Sequence, residues 1–277
     1  MLTMLFSGGY FLSAVNLTTV NLRCNRLGDE GTVILCQALE LNCSIVTLDL
    51  RSNEITENGA ELLAKILRRN ETLTTLLMGN NKVGDNGAKY LADALHNSIV
   101  LNILDLSGNN IEPIGIGHLS LAFGSNTSLQ TLDLGTNNIG DEGAKSLADL
   151  LKNQMKLQVL DLRSNRITDR GVEFLAIALK RNRTLQRISL WQNEITDHGA
   201  QHLMNALRDC YRPIMLNISG ALFEESNFVG LSISRRTTSR MFADRLQIQN
   251  TQPMNEEDFW LGLYGTNELF SRRLDWS

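Results

Sequence analysis

The sequence predicts an α/β solenoid built from 28-residue strand–turn–helix units, with a parallel sheet on the concave side and helices on the convex side. Two observations carry this. Asparagine recurs at Asn25, Asn53, Asn81, Asn109, Asn137, Asn165 and Asn193, every step 28 residues with no insertion or deletion. Around each Asn the apolar spacing changes, from strand-like before it to helical i,i+4 after it. Composition agrees: of 277 residues, 43% are hydrophobic but only 6% aromatic, and three are proline, which suits a regular aliphatic chain.

Each unit opens on a strand. Aliphatic residues stand eight, five and three places before the Asn, as at Leu17, Val20 and Leu22 or Leu157, Leu160 and Leu162, and another follows two places after it, from Leu27 to Ile195. A glycine comes six residues after every Asn, from Gly31 to Gly199, and apolar residues at two further four-residue steps, such as Leu35 and Leu39, mark one face of a helix. Thr56, Thr168 and Thr196, with Asp29, Asp85 and Asp141, stand where helix N-caps belong. Pro113 takes an early helical slot, where its missing N–H costs nothing. A helical Gly costs about 1 kcal/mol relative to Ala, so seven of them imply a close backbone approach at each helix start. The Asn amide, buried past the strand, can both donate to and accept from neighbouring turns, so the seven asparagines are read as a structural ladder.

The L-x-x-L-x-L-x-x-N-x-L pattern, with the run from Ile139 to Leu151, resembles the ribonuclease-inhibitor-like class of leucine-rich repeats. That resemblance covers Leu17–Arg212 and implies a horseshoe-shaped leucine-rich repeat solenoid. The class includes ribonuclease inhibitor, the Ran GTPase-activating protein, the tropomodulin C-terminal domain and the sensor halves of NOD-like receptors. Its members act on unrelated partners, so the likeness speaks to fold more than to function. The divisions expected are an N-terminal cap or truncated repeat over 1–16, seven repeats over 17–212, a degenerate eighth strand over 213–222 and an aromatic-rich tail over 223–277. A signal peptide is an alternative for the first segment, although it has no Lys or Arg.

A net charge of -4 argues against nucleic acid or an anionic membrane as the main partner. Cys24, Cys36, Cys43 and Cys210 form no C-x-x-C pair and read as reduced thiols in the cytoplasm. Gly143-Ala144-Lys145-Ser146 lacks a Gly before Lys and is repeat grammar, not a phosphate loop. His198 and His202, spaced i,i+4 without H-E-x-x-H, are metal-capable but read as a solvated helix face. His96 and His118 have no companions for nucleophilic catalysis. Six N-x-[ST] sequons occur, four of them (Asn42, Asn70, Asn126, Asn182) at one repeat position, so periodicity accounts for these without glycosylation. The expectation is no catalytic residue, no cofactor and no metal.

Function is then expected where the repeat leaves side chains unconstrained. On each strand the positions four and two before the Asn face the concave side. One column reads Asn21, Asp49, Leu77, Asp105, Asp133, Asp161, Ser189, and the other Arg23, Arg51, Gly79, Ser107, Gly135, Arg163, Trp191. Either Asp and Arg neutralise one another along the sheet, or these residues with Arg187 bind a protein, Trp191 beside Arg163 and Arg187 having a hot-spot composition. Gly79, Ser107 and Gly135 would leave room for the partner over the central floor. The tail holds eight of the 16 aromatics. Phe259, Trp260, Leu263, Tyr264, Phe270 and Trp276 read as capping or docking residues. The function expected is a non-enzymatic scaffold within a hetero-oligomeric assembly; the alternative is a small-GTPase regulator like the Ran-activating protein.

Overall fold

The computed structural model describes residues 17–40, 42–154, 156–208 and 214–218. Eight strands and seven helices alternate among them: β1 Thr19–Asn21, α1 Gly28–Glu40, β2 Thr47–Asp49, α2 Glu57–Leu67, β3 Thr75–Leu77, α3 Gly84–Leu95, β4 Ile103–Asp105, α4 Pro113–Phe123, β5 Thr131–Asp133, α5 Gly140–Asn153, β6 Val159–Asp161, α6 Asp169–Leu179, β7 Arg187–Ser189, α7 Asp197–Arg208 and β8 Met215–Asn217. The strands pair in sequence order, all parallel, in one open sheet. The register advances 28 residues per strand, so Leu48, Leu76, Leu104, Leu132, Leu160, Ile188 and Leu216 stack in one column with no exposed area. They join the helix leucines in one continuous core. Each such burial contributes about 1.5–3 kcal/mol.

Three polar ladders tie repeat to repeat, because each turn leaves backbone groups that the short strands cannot satisfy. The first is the expected asparagine column. Asn53 Oδ1 accepts from the N–H of Asn25 and Leu27 in the preceding repeat, at 3.0 and 3.3 Å, while its Nδ2 donates to the carbonyls of Leu22 and Leu50. Asn81, Asn109, Asn137, Asn165 and Asn193 reach back in the same way. The residue just before each of the seven asparagines has positive φ, from 52° to 61°. Gly108 adopts it freely and Asn80 readily, so the ladder holds a turn that the other five side chains oppose.

A second ladder occupies the sequon position. Asn126 Oδ1 accepts from the N–H of Ser128 and Leu129, and its Nδ2 donates to the carbonyls of Leu95 and Ser98. Asn182 repeats this towards Leu151, and Gln154 takes the same place towards Phe123. The amide nitrogens of Asn126 and Asn182 are thus buried and engaged, which explains these sequons as structure.

The third ladder corrects a sequence expectation. Thr56, Thr168 and Thr196 do cap their helices, each Oγ1 accepting from the N–H two residues on. Asp29, Asp85 and Asp141 do not cap their own helices. Asp141 Oδ1 accepts from Thr168 N and Gly171 N, at 2.9 and 3.0 Å, and Oδ2 accepts from Thr168 Oγ1 at 2.8 Å. Asp29 grips Thr56 and Gly59 in the same way, Asp169 grips Thr196, and Asp85 accepts from Glu112 N. The carboxylates serve the next repeat because its helix start, with orphan N–H groups and the positive dipole end, lies directly beside them. This is the close approach the repeated glycine reports: a Cβ on Gly171 would lie 2.5 Å from Asp141 Oδ1. Asp141→Ala orphans three donors at once and is expected to cost about 2 kcal/mol in urea unfolding. Unchanged stability would mean that water replaces the clasp.

Pro113 occupies the first turn of α4, as expected. That helix carries no charged residue, and it exposes Ile114 (70%) and Leu121 (81%) on the convex face. Cys24 and Cys43 are exposed free thiols, while burial pushes the Cys36 thiol up to about 12. No helix among the described residues is long and apolar enough to cross a membrane.

Candidate protein-binding face

The parallel register lays the first concave column in a straight row, with Asn21, Asp49, Leu77, Asp105, Asp133, Asp161 and Ser189 side by side. Sequence reasoning missed why Asp fills it. Each of these carboxylates accepts from the N–H two residues on, closing the strand end in an Asx turn. The bonds are Asp49 to Arg51 N (3.1 Å), Asp105 to Ser107 N (2.8 Å), Asp133 to Gly135 N (2.8 Å) and Asp161 to Arg163 N (2.9 Å); Asn21 does the same with Arg23 N. The periodic reach of two residues was legible, but the column looked like free surface because strand alternation assigns it a side and no partner.

The arginines lie down against the same row. Arg51 holds Asp49 through Nε at 3.0 Å and Nη2 at 2.6 Å, both side chains nearly fully buried. Arg163 lies between two carboxylates, its Nε 3.5 Å from Asp161 Oδ2 and its Nη2 3.6 Å from Asp133 Oδ2. Mutual neutralisation therefore describes Asp49, Arg51, Asp133, Asp161 and Arg163. The room expected over Gly79 and Gly135 is filled. A Cβ on Gly79 would meet Ser107 Oγ at 2.7 Å and Asp105 Oδ2 at 2.8 Å; one on Gly135 would meet Arg163 Cγ at 2.8 Å. These glycines accommodate the neighbouring repeat's side chains.

Asp105, Asp133 and Asp161 have no exposed area, and the Oδ2 of each has no hydrogen-bond donor among the described residues. Burial pushes the Asp105 carboxyl up to about 6, against the Ser107 hydrogen bonds and the charges of Arg51 and Arg163. Burial raises Asp133 well above the usual carboxylate range, and the like charges of Asp161 and Asp105 add to it. Asp161 is raised by burial too, offset in part by Arg163. Buried carboxylates of this kind carry a desolvation cost that Arg163 and the backbone N–H bonds offset in part.

Exposure is concentrated at the margins. Arg23 is exposed just past β1, Arg187 is partly exposed on β7, and Trp191, two residues past β7 and 28 after Arg163, is partly exposed. In the rim row one place after the ladder asparagines, Arg26, Glu54, Lys82, Asn110, Arg166 and Glu194 are exposed and Asn138 is partly exposed. Sequence reasoning passed over this row, although its period marked it. The tail residues Phe259, Trp260, Leu263, Tyr264, Phe270 and Trp276 and the 1–16 segment lie outside the described residues. Among the described residues no group of three or more His, Cys, Asp or Glu is placed to hold a metal ion.

The Leucine Rich repeat family profile matches six segments, residues 14–36, 41–64, 69–92, 97–120, 125–148 and 153–176, which together span half the chain. The chain belongs to the leucine-rich repeat family. No curated protein sequence matches it. Among solved structures, one titled Leiomodin-1 Actin-Binding Site 2 is similar at 17% identity and a TM-score of 0.48, over 55% of this chain and 87% of that one. Membership of the leucine-rich repeat family fits the parallel sheet and the asparagine ladder described above, and proteins of this kind commonly work by binding other proteins.

Proposed function

We propose that this leucine-rich repeat protein, of the ribonuclease-inhibitor-like class, is a cytoplasmic, non-enzymatic scaffold that binds a partner protein within a larger assembly. The carrying observation is the C-terminal end of the concave face, where Arg187 and Trp191 are partly exposed and the Trp191 carbonyl accepts from Ser164 N, the residue after Arg163. A broad apolar ring beside guanidinium groups, on a floor fixed by hydrogen bonds, is the chemistry of a binding hot spot. The floor itself is pre-ordered, so little conformational entropy is lost on association. The C-terminal aromatic segment provides a second docking element in this reading.

Copurification followed by mass spectrometry supplies the partners, and titration calorimetry then tests the site. Trp191→Ala is expected to weaken a concave-face partner by about 2 kcal/mol or more while the fold stays intact. Wild-type affinity for every recovered partner overturns the site. Stimulated GTP hydrolysis by a small GTPase, abolished by Arg166→Ala on the rim, would replace the scaffold with the regulator.

A further inference from the structure

On the helix α7, at the C-terminal end of the arc, two imidazoles converge in a way the function above does not use. His198 and His202 sit one turn apart with their Nε2 atoms 3.2 Å from each other. Their rings stand edge to face, with centroids 4.7 Å apart. His198 is exposed and His202 partly so, so a hydrated ion can reach both. We propose that this pair chelates a late first-row divalent metal ion, Cu2+ or Zn2+, through the two Nε2 atoms.

The separation itself is the argument. Imidazole nitrogens ligate such ions at about 2.0–2.1 Å, and two of them 3.2 Å apart then subtend an angle of about 100–106° at the metal. That angle lies between the right angle of a tetragonal site and the tetrahedral value, so either ion fits with a small ring rotation. Without metal, one Nε2–H donates to the other Nε2. Binding requires that proton to sit on Nδ1 of the same ring, so the site needs a change of tautomer and no net proton loss from a neutral pair. The helix fixes both Cα atoms, so the second ligand adds to the first at high effective concentration. Asp169, within electrostatic reach of His198, is engaged by Thr196 and supplies fixed negative charge nearby, not a ligand. Two protein ligands leave the remaining positions to water or to a partner's side chain. Copper should bind more tightly than zinc.

The test uses the full chain at about pH 7.5, titrated with Cu2+ and separately with Zn2+. Calorimetry is expected to show a site that His198→Ala and His202→Ala each weaken by about tenfold or more, with Cu2+ bound more tightly. His96→Ala is expected to leave it unchanged. Wild-type affinity in the His198 variant, or no binding to the wild-type chain at high micromolar metal, overturns the proposal. His198 is exposed, so its variant remains decisive even if His202→Ala perturbs the helix.

Discussion

Asn137→Ala is expected to destabilise the solenoid by about 3–5 kcal/mol, several times the effect of the same change at Asn25. Asn137 Nδ2 donates to the carbonyls of Leu106 and Leu134, at 3.0 and 2.9 Å, and Oδ1 accepts from the N–H of Asn109 and Ile111, at 2.9 and 3.0 Å. Alanine therefore leaves two donors and two acceptors orphaned in a buried turn, each at about 1–3 kcal/mol before partial relaxation. It also releases the left-handed turn at Thr136, whose branched side chain disfavours that conformation. Asn25 is exposed, and among the described residues its side-chain amide donates to Leu22 and Arg23 in its own turn. Water can replace those bonds, so Asn25→Ala should cost about 1 kcal/mol or less. Because repeats couple through nearest neighbours, the central change should also broaden the urea transition, while the terminal one should not. Equal losses at the two positions, measured by circular dichroism, would refute the ladder account.

The contrast shows what the sequence made legible. Residue types fixed by a 28-residue period, the strand leucines, ladder asparagines and helix-start glycines, name their own neighbours, since a residue 28 places away is one strand over. Fold and ladder follow from that alone. The three inward carboxylates were harder. Asp29, Asp85 and Asp141 look like caps of the helices they begin, and only the stacking of helices shows that their donors lie 27 to 30 residues ahead. The concave Asp column carries two signals at once, an Asx turn and a surface position, and the sequence cannot weigh them because burial depends on what lies over each strand. Gly79 and Gly135 were misread for the same reason: absence of a side chain was taken as open space, whereas a neighbour fills it. Of the asparagines that look like sequons, Asn126 and Asn182, with Gln154 between them, form a second ladder, while Asn42 and Asn70 accept from N–H groups in their own turns. Arg187 and Trp191 are partly exposed.

Neutralising the middle of the carboxylate row is expected to stabilise the protein, and lowering the pH should do the same for the wild type. Folding raises the Asp105, Asp133 and Asp161 carboxyls, so the folded chain holds protons that the unfolded chain releases. Their contribution is most favourable below the ordinary value of 3.8, is lost as pH rises through the folded values, about 6 for Asp105, and is a net cost above them. For Asp105 alone, the difference between 3.8 and about 6 corresponds to about 3 kcal/mol. Asp169, the carboxyl that folding lowers, acts in the opposite sense but only as pH falls below 3.8, so between pH 4 and 6 the raised group decides the slope. Asp133→Asn removes a buried carboxyl whose ionisation Asp161 and Asp105 oppose, and it keeps an oxygen for Gly135 N. Breaking a buried ion pair normally costs about 3–5 kcal/mol because the abandoned charge is stranded. Here Arg163 retains Asp161 at 3.5 Å, so that penalty does not apply. Asp133→Asn should therefore be more stable than the wild type at neutral pH, and the gain should shrink as pH falls towards 4, where the raised carboxyl holds its proton. A variant less stable than wild type at neutral pH, or a difference that does not change with pH, would show that Arg163 outweighs burial in this row.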